Sequence, residues 1–261
     1  MLRSMPSKAP IDTSLRSQVY DSLRAALTTG RFAPGQKLTF RFIAGSLDVS
    51  LTPVREAIRR LVAEGAFEMR PNRSVRVPLM TRDRVLELRD IRMAVEGLAA
   101  EKAAARATPR GIAALRRVAA EIMAARGKDD ATDRRKVREF HFTLYAMAGQ
   151  PALLRVIEGL WLQTGPYMNL LYPDYIASPR GPATRAGILK ALQAVDGKAA
   201  RREIEDDVRR ALTYVADLAD PAGNIAPATP VETKRRPSKR HPPKRRRGRP
   251  SLPPTGGLAF A

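Results

Sequence analysis

Pro53 does more than any other residue to limit what this chain can become. Its ring removes a backbone N–H and collides with the preceding turn, so a helix accommodates proline in its first turn and resists it elsewhere. Directly after it Val54, Ile58, Leu61 and Val62 recur at helical spacing as one apolar stripe, which stops at Gly65. A helix must therefore start at this proline, with Ser50 or Thr52 as its cap. Upstream there is room for one short helix, capped by Thr39 and carrying Ile43 and Leu47, before the link Asp48-Val49-Ser50. Further back Leu15, Val19, Leu23, Ala26 and Leu27 form a first stripe that ends at Gly30, and Pro34-Gly35 turns the chain. Downstream, Phe67-Glu68-Met69 and Val75-Arg76-Val77 alternate about Pro71-Asn72, as two short antiparallel strands do. Three helices and a hairpin predict a winged helix-turn-helix over residues 14–80, behind a disordered N-terminus of residues 1–13.

From residue 81 the periodicity is helical throughout. Val85, Leu88, Ile91, Val95, Leu98 and Ala99 make one stripe, and Ala-rich stretches continue through 112–125, 131–148 and 150–171. Pro and Gly gather at 173–182; Ile188, Leu189, Leu192 and Val195 then resume a helix, and Ile204, Val208, Leu212 and Val215 supply the last. The fold class is mainly α, an N-terminal winged helix-turn-helix plus a C-terminal antiparallel all-α bundle of about six helices over 81–220. Residues 221–261 turn to Pro, Gly, Ala and Lys/Arg, which cannot bury enough apolar area to offset ordering entropy, so a disordered basic tail is expected.

The 261 residues include no Cys, which excludes disulfides, thiolate zinc sites and a cysteine nucleophile. No apolar run approaches the roughly 20 residues of a membrane span, and the N-terminus lacks the apolar core of a signal peptide. No membrane partner and a cytoplasmic location are expected. The net charge of +21 is uneven. Residues 1–80 carry 13 Lys+Arg against 6 Asp+Glu, residues 81–231 carry 24 against 19, and residues 232–261 carry 10 against 1. Basic ends around a balanced middle suit a polyanionic partner, since clustered cations release condensed counterions.

On the third helix Thr52, Arg55 and Arg59 share one face, apart from the apolar stripe. A helix fits the major groove of double-stranded DNA, and an arginine fork can bond both O6 and N7 of guanine; the alternative is an ordinary solvated face. The segments VYDSLRAALTTGRFAPGQKL and IAGSLDVSLTPVREAIRRLVAEGAFEMRPNRSVRV resemble the GntR family of winged helix-turn-helix regulators over roughly residues 17–78. The resemblance places Arg41 and Arg55 at DNA-contacting positions and brings the wing near Asn72, Arg73 and Val75 to the minor groove. With Ser50, Thr52 and Arg59 these are the candidate DNA contacts. Leu51 stands where the family commonly has Arg, and Ser74 replaces a wing Gly.

The segments ELRDIRMAVEGLAAEKAAARAT, EFHFTLYAMAGQPALLRVIEGLWLQ and GILKALQAVDGKAARREIEDDV resemble the all-helical FCD effector domain of the FadR-type subgroup, over about residues 83–215. Many such domains hold a divalent metal with one Asp and three His, and the metal helps bind a carboxylate effector. The matching positions here are Val137, His141, Arg185 and Asp207, so the site is degraded and no metal or other cofactor is expected. Arg185 is the candidate replacement for the metal, gripping an acidic metabolite directly, with Arg92 assisting. The alternative is that Arg185 and Asp207 merely pair in a domain that has lost sensing.

In the tail Arg247-Gly248-Arg249-Pro250 is similar to an AT-hook core, in which Gly lets the backbone enter a narrow minor groove flanked by Arg247 and Arg249. A solubilising run is the alternative. The resemblance implies a homodimer, and with the basic ends it predicts a nucleoid-associated bacterial repressor controlled by a small acidic metabolite. An architectural AT-rich DNA-binding protein, whose helical domain only dimerises, is the alternative. An enzyme is not expected, because no catalytic constellation appears.

Overall fold

The computed structural model describes residues 11–172, 174–177 and 184–225. Helix α1 (Ile11–Thr28) ends at Gly30, whose φ of 69° is the left-handed conformation that closes helices. Thr39 caps α2 (Phe40–Ser46) by accepting from the Phe42 N–H at 3.1 Å. Helix α3 (Leu51–Ala63) begins at Ser50, which has extended cap geometry but makes no side-chain cap bond, and Pro53 lies in its first turn. Its apolar face packs on α1, where Leu23, Leu27, Ile43, Ile58 and Leu61 are fully buried.

The hairpin is β2 (Glu68–Arg70) and β3 (Ser74–Arg76), one residue out of step with the expected strands at each edge. A strand not expected from the sequence, β1 (Lys37–Thr39), pairs antiparallel with β3 and makes a three-stranded sheet of order β1-β3-β2. Leu38, Val75 and Met69 stand in register across it, and Leu38 and Val75 are buried. Three residues are too short for alternation to betray a strand; the sheet pairing stabilises it instead.

The helical domain comprises α4 (Arg82–Ala104), α5 (Pro109–Ala125), α6 (Asp130–Met147), α7 (Pro151–Thr164), α8 (Asp174–Ala177), α9 (Thr184–Gln193) and α10 (Gly197–Asp217). Thr81, Thr108, Asp129 and Asp196 each cap a helix through a side-chain oxygen. The stretch 150–171, read as one helix, divides: Pro166 lies in a 3-10 segment, Gly165–Leu171, that follows α7. The one-turn α8 is the other addition to the six long helices. Helices α4 and α10 lie close together, since a β-carbon at Gly97 would come within 3.1 Å of the Arg201 and Glu205 side chains.

The ordered chain also extends past 220: Ile225 is buried and its N–H donates to the Met80 carbonyl at 3.2 Å. Residues 1–10 and the tail from 226, with its AT-hook-like Arg247 and Arg249, lie outside the described residues. Among the described residues no helix is long and apolar enough to cross a membrane.

Candidate functional site

The face that carries the candidate DNA contacts is assembled from three elements. Arg41 of α2, Arg55 of α3 and Asn72 and Arg73 of the wing turn line one groove with Thr39 and Leu51. Arg41, Asn72 and Arg73 are exposed, Arg55 is partly so, and none of the three arginines has an ion pair among the described residues. Thr52 and Arg59 lie exposed on the same helix, but Arg59 pairs with Glu56 at 3.0 Å along its own axis. Asn72 and Arg73 both have positive φ, 60° and 51°. For arginine that conformation is uncommon and costs energy that the surrounding turn must supply. Ser74, at the family's glycine position, closes this turn by donating to the Pro71 carbonyl at 2.7 Å.

Two arrangements that sequence reasoning missed hold this surface in place. Glu68 accepts from Arg70 and Arg76 at 2.7 Å each; partial burial pushes its carboxyl up, but the two guanidiniums outweigh that and hold it below the ordinary range. Tyr20 of α1 donates to Glu64 at the end of α3 at 2.8 Å, while Arg60 pairs with Glu64 and stacks 3.7 Å over the Tyr20 ring. Burial and the Glu64 carboxylate push the Tyr20 hydroxyl up to about 12. This bracket fixes the recognition helix on α1.

The four candidate effector residues come from four helices and meet around one cavity: Arg92 of α4, His141 of α6, Arg185 of α9 and Asp207 of α10. His141 Nε2 lies 3.4 Å from Asp207, and its Nδ1 lies 2.9 Å from the Tyr145 hydroxyl. That hydroxyl donates to Glu96 at 2.5 Å, so it accepts from His141 Nδ1–H. Arg92 in turn donates to Glu96 from Nε at 2.5 Å and to Thr164 from Nη1 at 2.9 Å, with its guanidinium 4.6 Å from the Trp161 ring centroid. Burial raises the Tyr145 hydroxyl far above its ordinary value, and Glu96 adds to the effect. Burial pulls the Arg92 pKa down, but Glu96 outweighs it and the net shift is upward. Arg92 thus sits at the cavity with its charge already matched, and the hydrogen-bonded chain from His141 through Tyr145, Glu96 and Arg92 to Thr164 fixes the orientation of His141.

Arg185 differs. It is largely buried, its Nε has no hydrogen-bond partner among the described residues, and burial lowers its pKa against the opposing pull of Asp207. Arg134, seven residues before His141 on α6, brings another guanidinium to the wall, 5.0 Å from the Tyr172 ring centroid. Trp161 adds a buried indole N–H with no partner. The sequence signal for Arg134 was its two-turn spacing from His141; Trp161 had none beyond being the sole Trp. Val137 lies beside them and offers no donor. Among the described residues no group of three or more His, Asp and Glu is placed to hold a metal, and His141 with Asp207 does not make the family's four-ligand set.

Comparison with known proteins fits this geometry. Residues 15–77 match the family described as bacterial regulatory proteins, gntR family, and residues 87–210 match the FCD domain. The HTH-type transcriptional regulator McbR of Escherichia coli is 33% identical over 160 residues, covering 61% of this chain and 72% of McbR. A "Probable D-xylose utilization operon transcriptional repressor" of Paenarthrobacter nicotinovorans is 28% identical over 210 residues, covering 80% of this chain and 92% of that protein. The solved structure of E. coli McbR/YncC superposes with a TM-score of 0.67 at 30% identity, covering 78% of this chain and 95% of that one.

Proposed function

Because this chain belongs to the GntR family of bacterial transcriptional regulators and carries an FCD domain, we propose that it is a homodimeric repressor released from operator DNA by a small anionic metabolite. The DNA half of the reading rests on the unpaired Arg41, Arg55 and Arg73 converging on one groove beside the N-terminus of α3. A positive helix end and free guanidiniums suit phosphate and guanine edges. Repression is taken from the xylose-operon relative.

The observation that carries the effector half is Arg185, a half-buried cation whose Nε has no partner among the described residues, on a partly enclosed cavity. A guanidinium with an open donor at a cavity can complete its hydrogen bonding on a bound carboxylate. Arg134 and the Trp161 N–H add donors of the same kind, while the Tyr145 hydroxyl orients His141. The pocket works without a metal.

Footprinting full-length protein on DNA upstream of its own gene tests the first half. Two protected half-sites about one helical turn apart, or a multiple, are expected for a two-fold dimer. Unphased coating of AT-rich DNA would refute it and favour an architectural role. For the second half, malonate and citrate are expected to raise the Tm of the wild type and not of Arg185→Met. Zinc raising the Tm of the wild type but not of His141→Ala would overturn the metal-free pocket.

A further inference from the structure

The wall of the effector cavity is not made by the helical domain alone. Thr28, the last residue of α1, and Thr29 just after it line it together with Arg185 and Trp161. This end of α1 is seated tightly on the helical domain. A β-carbon at Gly165 would come 2.7 Å from the Thr28 Cα, so the two backbones touch with no side chain between them. Asn169 donates to the Gly30 carbonyl, Arg24 pairs with Glu158, and Leu162 of α7 is buried in the core of the DNA-binding domain. At its other face α1 carries the recognition helix through a shared core and the Tyr20–Glu64–Arg60 bracket. One helix therefore reaches from the cavity wall to the element that reads DNA.

We propose that the effector is bound between the two domains, with Thr29 as a ligand contact supplied by the DNA-binding domain, so that filling the cavity moves α1 and with it α3. The proposal rests on the reading of this cavity as an anion site. The hydroxyls of Thr28 and Thr29 donate to the carbonyls of Arg24 and Ala25, at 2.9 and 2.7 Å. They meet a ligand as shape rather than as donors. Close-packed interfaces pass such a displacement on instead of absorbing it, and a ligand that fits only one seating of α1 shifts the population toward that seating. Linkage makes the effect reciprocal, so operator DNA and effector each weaken the other.

The chain has no Cys, so Thr29→Cys places a single thiol in the cavity wall of the full-length protein. Methanethiosulfonate reagents serve as the probe: the thiolate attacks the sulfenyl sulfur, methanesulfinate leaves, and a mixed disulfide carries either a sulfonatoethyl or a trimethylammonioethyl group. The anionic reagent is expected to react several-fold faster than the cationic one. Labelling with it should weaken binding to the footprinted operator about tenfold, within the usual range of allosteric coupling. The same label on Ala25→Cys, exposed one turn earlier on α1, should leave operator binding unchanged. Thr29→Leu, which enlarges the same wall without a reagent, should weaken binding in the same direction. Unchanged operator affinity in fully labelled, folded Thr29→Cys protein and in Thr29→Leu overturns the shared site. Equal rates for the two reagents instead overturn the anion reading beneath it.

Discussion

Removing the Arg92 side chain should cost the helical domain a large share of its stability before it reports on effector binding. Arg92 and Glu96 are 4% and 0% exposed, and Arg92 closes three hydrogen bonds, two to Glu96 and one to Thr164. Summing charge-assisted bonds at about 1.5–3 kcal/mol each overstates the loss, because the pair also gave up its hydration on folding. The term that decides the outcome is the stranded Glu96 carboxylate, for which breaking a buried pair costs about 3–5 kcal/mol. Against a typical total of about 5–15 kcal/mol that is a large share. Trp161, the sole Trp and stacked on Arg92, makes its fluorescence in urea a reporter of this domain. Arg92→Ala is expected to lower the unfolding free energy by that amount, and the urea midpoint with it, and Arg92→Met with Glu96→Leu to recover most of the loss. An Arg92→Ala loss under about 0.5 kcal/mol, the range of an exposed pair, would refute the reasoning.

Arg55→Ala should weaken operator binding by about 1–3 kcal/mol and relax the preference at one base position, whereas Arg59→Ala should cost less, its guanidinium being already paired with Glu56; competition footprints measure both. Tyr20 is raised from 10.0 to about 12 in the folded protein, so its contribution is complete below pH 10 and lost as pH rises through 10–12. Tyr20→Phe should therefore flatten the alkaline loss of stability in that window; Tyr167, also raised to about 12, keeps part of it. Gly165→Ala has no room against the α1 backbone and should separate the domains, read as faster proteolysis between Val77 and Thr81 with the Trp161 transition little changed. Unchanged cleavage would show that α1 is not seated there.

The winged helix was legible because its signals are local. Pro53 fixes the start of α3, Gly30 and Gly65 hold the positive φ that ends a helix, and the apolar stripes named most of the core that the structure buries. Strand β1 was invisible because three residues pair only after β3 is in place. The candidate effector residues were placed by their positions along the helices, and Arg92, His141, Arg185 and Asp207 fall around one cavity. Their partners were not. Nothing in sequence spacing links Glu96 to Tyr145 or Thr164 to Arg92, since those contacts join different helices. The role of α1 in the cavity wall was hidden for the same reason, and the sequence boundary at residue 80 obscured it further.

These hidden contacts bear on how a sensor could survive the loss of its metal ligands. A divalent ion offers open coordination positions and gathers its ligands by its own charge. At this cavity protein groups meet one another: Glu96 neutralises Arg92, and the Tyr145 hydroxyl bonds His141. The charge that a ligand would meet is then left to Arg185 and Arg134, which are tethered and need no metal supply. A guanidinium is bulkier than an ion but binds a carboxylate along a defined plane, so it exchanges adaptable coordination for orientation. Val137, where the family's metal-binding carboxylate would stand, fits that exchange. An aspartate there would compete with the effector for both arginines, so Val137→Asp should abolish the malonate-induced rise in Tm while leaving the fold intact. A Tm rise that survives Val137→Asp would mean that the anion is held elsewhere in the protein.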